Sequence, residues 1–108
     1  MNVIPLSSLN GACARQLDIV WREWPDGIPV TRHAAQRAVE LGLELDWAAR
    51  RLLTPPGYRV FREDRRRLLH MVLRNASYRA YREAMAAALF EALADPAFSE
   101  ARGGYRGD

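Results

Sequence analysis

Hydrophobic positions along the chain recur mostly at spacings of three and four residues, which is the period of an α-helix. The first such stretch runs from about Ser8 to Trp24, and Pro25 ends it because proline has no N–H and clashes with the preceding turn. A second stretch follows Thr31, a good N-cap residue, and stops at Gly42, which suits a left-handed helix end. The apolar face of the first helix is predicted to comprise Leu9, Cys13, Leu17, Val20, Trp21 and Trp24.

Three further helices are predicted in the second half of the chain. A short helix over 46–53 is stopped by the Thr-Pro-Pro-Gly turn at 54–57, and residues 58–61 are interpreted as an extended lead-in to a helix from about 63 to 74. The last helix, 78–94, keeps helical spacing throughout and is rich in alanine, so it is predicted to be the longest and most regular. The pattern predicts an all-α protein, a compact array of four to five short helices.

Length and composition indicate one domain. The 108 residues, of which 49% are hydrophobic and 27% charged, fall in the globular range. We expect a single helical domain over 1–98 and a flexible C-terminal tail over 99–108. No apolar run approaches the roughly 20 residues that span a bilayer, and the N-terminus lacks the features of a signal peptide. The single cysteine fits a reducing compartment, so a cytoplasmic location without membrane association is expected.

Positive charge is concentrated in the middle of the chain and comes only from arginine. Residues 47–85 hold ten arginines and three acids, a net charge of +7, whereas 1–46 and 86–108 each carry −2. Guanidinium groups bind phosphate and carboxylate oxygens in pairs. The segment therefore predicts a binding surface, unless its arginines are neutralised by acids such as Glu40 or Glu91, or only cover apolar surface with their stems. The candidate partner- or nucleic-acid-binding residues are Arg50, Arg51, Tyr58, Arg59, Arg62, Arg65, Arg66 and Arg67.

Residue patterns that would indicate an enzyme are missing. His33 and His70 are far apart and belong to no zinc-binding motif. Cys13 is expected to be buried as a small hydrophobe, not reactive. Glu63 and Asp64 are adjacent, so on a helix they point about 100° apart and cannot form a facing carboxylate pair. We expect no catalytic residues, no metal and no cofactor.

Residues 34–53 match a DNA-binding helix-turn-helix only weakly. Ala38 and Gly42 fall where the motif needs a small residue and a turn glycine. However, Arg37 and Arg51 would occupy buried positions, and the second helix offers few base-reading side chains. A helical hairpin is the ordinary alternative.

Two hypotheses of function follow. The first is a small non-enzymatic helical protein of bacterial or phage and mobile-element type, which docks on a larger protein or nucleoprotein assembly. An example of such a role is an inhibitor or adaptor of nucleic-acid-handling or defence machinery in the style of an anti-CRISPR protein, with Trp24, Tyr58 and Phe61 as anchors. The alternative is a small DNA- or RNA-binding regulator that uses the arginines of 50–82 on phosphates. The modest net charge of +3 favours the first. The partner and the oligomeric state stay open.

Overall fold

The computed structural model describes residues 2–74 and 77–99, which are mostly helical, and the predicted all-α class is confirmed. A short antiparallel pair of strands was not predicted. It forms between residues near the N-terminus and the stretch before the second helix, with Val3 opposite Pro29 and Ile4 opposite Ile28. The elements are β1 (Val3–Ile4), a 3₁₀ helix (Leu6–Leu9), α1 (Ala14–Glu23), β2 (Ile28–Pro29), α2 (Arg32–Glu40), α3 (Leu45–Leu52), α4 (Pro55–Arg74) and α5 (Tyr78–Ala94).

Local capping signals explain the two helices that were predicted best. Helix α2 begins where the Thr31 hydroxyl accepts a hydrogen bond from the Ala34 N–H, at 3.1 Å, and it ends before Gly42, whose φ is 74°. Helix α5 begins in the same way, because the Ser77 hydroxyl accepts from the Ala80 N–H at 3.1 Å. The predicted span of 78–94 is confirmed for α5.

Helix α4 is longer than predicted, and its 20 residues make it longer than α5, which has 17. The prediction that the last helix is the longest is therefore wrong, as is the extended lead-in over 58–61. The cause is the Pro55-Pro56 pair, which ends α3 but also starts α4, since the first helical positions need no N–H partner. Thr54 caps the new helix by accepting a hydrogen bond from the Gly57 N–H at 3.2 Å.

Helix α1 is shorter than predicted because the chain breaks at Gly11, whose φ is 104°. The helix begins only at Ala14, so Cys13 lies before it and is exposed, which corrects the prediction of a buried thiol. Trp21 is also outside the core, with 58% of its surface exposed. It lies about 100° around the helix from the buried Val20, at the edge of the apolar face.

The core is built around α5, which packs against α2, α3 and α4. Phe61, Ile4, Leu53, Leu89 and Leu93 are the largest side chains that are fully buried. Because α4 packs on α5, one side of α4 faces the core and the other faces solvent.

The C-terminal end of the described chain closes on the start of α4. Ser99 was predicted to begin the tail, but it is 4% exposed and forms a β-bridge with Leu53. The Thr54 N–H donates to the Phe98 carbonyl at 2.9 Å. The rest of the predicted tail, 100–108, lies outside the described residues. None of the helices described is long and apolar enough to cross a membrane.

Candidate functional site

The arginines of the basic segment divide into two sets according to whether they have a partner within the protein. Three of the first set are paired with aspartates of the same helix or of a neighbouring one. Arg65 forms an ion pair and a hydrogen bond with Asp46 of α3, and Arg67 does so with Asp64 one turn earlier in α4. Arg50 also approaches Asp46, with a distance of 3.5 Å between Nη2 and Oδ2. These three predicted binding residues therefore have partners within the protein.

Asp46 holds the junction of α3 and α4 together. Its Oδ1 atom accepts a hydrogen bond from the Tyr58 hydroxyl at 3.3 Å as well as from Arg65. The Arg50 Nε donates to the same hydroxyl at 3.3 Å, and its guanidinium carbon lies 5.9 Å from the centre of the Tyr58 ring. The hydrogen bond to Tyr58 raises the pKa of Arg50, with the charge of Asp46 adding to the effect. Tyr58 is half-buried with its hydroxyl occupied, so it is not a free platform for a nucleic-acid base.

Removal of the Asp46 carboxylate tests this junction. We expect Asp46→Ala to lower the free energy of unfolding by about 1–2 kcal/mol, because it removes charge-assisted hydrogen bonds to a half-buried guanidinium. Asp18→Ala is the control, since its ion pair with Arg22 is far more exposed and is worth less than about 0.5 kcal/mol. Urea unfolding of both variants measures the difference. Equal losses would mean that Asp46 is only a surface charge.

Arg51 also has a hydrogen-bond partner within the protein. Its Nε donates to the carbonyl of Ser8 at 3.1 Å, which ties the end of α3 to the 3₁₀ helix. In a helix-turn-helix protein, Arg50 and Arg51 would be the residues of the second helix that reach DNA. In this structure both are engaged by the protein, and α3 has only eight residues. Arg37 likewise pairs with Glu23, at 2.9 Å, and with Glu40.

The remaining three predicted arginines, Arg59, Arg62 and Arg66, point outward from α4. We call them the arginine face. All three are exposed, and within the described residues they form no hydrogen bond or ion pair. Spacings of three and four residues place them on one side of the helix, within about 10 Å of helix axis at 1.5 Å per residue. Glu40, Glu44 and Glu91 form no ion pair with these three arginines. Arg74, at the end of the same helix, is also exposed.

Two neighbours change the chemistry of this face. Glu63 lies beside it, four residues after Arg59 and three before Arg66, and is exposed. Leu69 continues the line of Arg62 and Arg66 and is 47% exposed. The face thus combines guanidinium groups with one carboxylate and one apolar side chain, which the sequence analysis did not identify. The helical spacing of Leu69 would have placed it there, but an apolar residue on a helix is normally assigned to the core.

The predicted aromatic anchors do not lie on this face. Phe61 is 1% exposed and belongs to the core, so its prediction as an anchor is wrong. Trp24 is half-buried beside an apolar cavity of about 60 Å³ between α1 and the other helices. The aromatic side chains that are most exposed among the described residues are Trp21 and Tyr78, and neither is part of α4.

The described residues bring no group of three or more His, Cys, Asp and Glu side chains together in a way that could hold a metal ion. The apolar cavity is several-fold smaller than a typical cofactor site, which is about 300–1,000 Å³. Two open grooves beside α5, of about 570 and 430 Å³, are lined largely by alanine and charged side chains.

No family model matches the chain, and no curated protein or solved structure matches it.

Proposed function

We propose that this chain is a non-enzymatic binding protein that docks through the arginine face of α4 on an acidic surface of a larger protein or nucleoprotein assembly, as an inhibitor or adaptor of that assembly. The observation that carries the proposal is the division of the arginines. Arg50, Arg65 and Arg67 are paired with aspartates, whereas Arg59, Arg62 and Arg66 are exposed without a partner among the described residues.

The chemistry of the partner follows from the cost of desolvation. Guanidinium groups are well solvated at a free surface, but burying an unpaired charge against a neutral surface is strongly unfavourable. A partner that covers the arginine face must supply carboxylate or phosphate oxygens. Arginine is also the charged residue that is enriched at protein interfaces, because its planar group binds carboxylates in pairs and covers apolar surface with its stem.

An acidic protein surface is favoured over nucleic acid by the residues around the face. Glu63 would repel a phosphate backbone, whereas the mixed charges of a protein surface can accommodate it. Leu69 offers apolar surface that a protein partner can cover, whereas a phosphate group makes no favourable apolar contact with it. Tyr58, which could have stacked on a base, is held against Arg50 and Asp46. Phosphate binding by the same arginines is the competing outcome of the experiment below.

We predict that the double variant Arg62→Gln/Arg66→Gln loses the partner. The expected loss of affinity is about tenfold or more, because close charge pairs at a binding surface contribute about 1.5 kcal/mol or more. The matched control is Arg15→Gln/Arg32→Gln, which removes the same charge from two exposed arginines of α1 and α2. Each tagged protein is used for pull-down from a bacterial lysate at about 150 mM salt, where distant surface charges are screened, with and without nuclease.

The proposal is supported if a discrete protein survives nuclease treatment, is retained by the control variant and is lost with the α4 variant. It is overturned if both variants retain the partner equally, since the site is then elsewhere. It is also overturned if the captured material is nucleic acid and is released steeply with salt, because that is the signature of phosphate contacts.

A further inference from the structure

We infer that the segment bound by α4 is an acidic amphipathic helix, which lies along a single stripe formed by Arg59, Arg62, Arg66 and Leu69. We call these residues the arginine–leucine stripe. The inference rests on the proposed function and adds to it the shape and the chemistry of the bound segment. It is drawn from the spacing of the four residues, from what borders them and from the exposure of Leu69.

The spacing of the stripe matches a helix. Its members follow each other at three, four and three residues, which is the pattern of the contact seam between two helices packed side by side. Along the axis of α4 they lie at about 0, 4.5, 10.5 and 15 Å. A second helix presents side chains at the same intervals. An extended peptide presents them every 6.6–6.8 Å or so on one side, and would lose register with the arginines.

The width of the stripe also fits one helix. On one side it is bordered by Tyr58 and Arg65, which are turned to Asp46 of α3 and are not free to bind. On the other side it is bordered by His70 and Glu63, both exposed, and the carboxylate of Glu63 disfavours further acidic groups. Between residues 58 and 69 of α4, the guanidinium groups without a partner therefore lie in one line, and an acidic surface that extended beyond this line would meet the carboxylate of Glu63.

Leu69 defines the composition of the bound helix at one end of the stripe. It is 47% exposed because it lies on the same side of α4 as the arginines. A partner helix would therefore carry an apolar residue opposite Leu69 and carboxylates opposite Arg59, Arg62 and Arg66. The chain offers a matched control in Val60, which is 42% exposed in the same helix. Val60 lies about 140° around α4 from the stripe, at 100° per residue, and should not touch a helix bound there.

The test measures binding of two synthetic peptides to the full chain by fluorescence anisotropy. Both peptides have the same composition and are held helical by a side-chain staple. One carries three Glu and one Leu in a single line at the spacing of the stripe, and the other has the same residues distributed around the helix. We expect the first to bind about tenfold tighter, since only it can pair with the guanidinium groups at once.

Leu69→Gln and Val60→Gln separate the stripe from a general basic surface. Leu69→Gln should lower the affinity for the peptide with the aligned residues about fivefold. Val60→Gln should leave that affinity unchanged, because Val60 lies outside the surface that the bound helix covers. Thermal unfolding of both variants verifies that they fold, and both side chains are exposed enough to be replaced.

Equal binding of the two peptides, or equal effects of the two variants, would overturn the inference of a bound helix. If the pull-down partner is still lost with Arg62→Gln/Arg66→Gln in that case, the proposed function stands without it. If instead the pull-down captures only nucleic acid that is released steeply with salt, and an oligonucleotide binds wild type and Leu69→Gln alike while neither peptide binds, both the inference and the proposed function are wrong.

Discussion

Replacement of Phe61 by alanine is expected to lower the free energy of unfolding by about 3–5 kcal/mol. Phe61 is 1% exposed and is among the largest fully buried side chains, so the change removes apolar burial and leaves a cavity between α4 and the core. Domains of this size are stable by only about 5–15 kcal/mol in total. Urea unfolding followed by circular dichroism measures the loss, and a large share of the variant is expected to be unfolded at moderate urea concentrations.

Val60→Ala is the control for Phe61→Ala, because the two residues are neighbours in α4 and Val60 faces solvent. It should change the free energy of unfolding by no more than about 0.5 kcal/mol. The comparison also tests the orientation of the binding site. Because Phe61 is buried in the core, the arginine face on another side of α4 is directed to solvent. Similar effects of the two replacements would contradict the orientation of α4 described above.

Replacement of Gly57 by alanine is the second large effect expected. Alanine is normally favoured over glycine inside a helix by about 1 kcal/mol. At Gly57, however, a Cβ atom would lie 2.7 Å from the Cβ of Phe98 and 2.8 Å from its carbonyl oxygen. That carbonyl is held by the Thr54 N–H, so the backbone cannot retreat without losing a hydrogen bond. We expect a net loss of about 1–3 kcal/mol, measured by thermal or urea unfolding.

Gly42→Ala provides the contrast, because the two glycines are required for different reasons. Gly42 has a φ of 74° and nothing within 4 Å of the position of an added Cβ, so alanine there meets backbone strain and no steric clash. The expected loss is about 1 kcal/mol, and Gly42→Asn should recover part of it, since asparagine tolerates this conformation. A Gly57→Ala variant as stable as wild type would show that Phe98 does not approach α4 so closely.

The helices whose ends are marked by local signals could be predicted from the sequence. Thr31 and Ser77 cap α2 and α5 with their own hydroxyl groups, and Gly42 ends α2 through its own φ. The start of α4 could not be predicted in this way. The Pro55-Pro56 pair is compatible with both a stop and a start, and the choice depends on Thr54 accepting from the Gly57 N–H.

The candidate site could be predicted only in part. The sequence identified eight residues of the basic segment, and three of them form the outward face. Spacing alone predicts the other five equally well, but all of them have partners within the protein. Asp46 pairs with Arg50 and Arg65, Asp64 pairs with Arg67, and the Ser8 carbonyl accepts from Arg51. The Tyr58 hydroxyl is bonded to Asp46 and Arg50. Asp46 lies nineteen residues before Arg65 in the chain, so no local pattern indicates that the two meet.

By itself, the sequence determined that the protein is helical, where α2 and α5 begin and end, and that positive charge is concentrated in the middle of the chain. These properties depend on periodicity, capping and composition, all of which act over a few residues. Only the tertiary structure decided that Trp21 is exposed, that Phe61 is core, and which arginines are free. These depend on which side of each helix its neighbours cover, because packing against α3 and α5 pairs or buries one side of α4 and leaves the other to solvent.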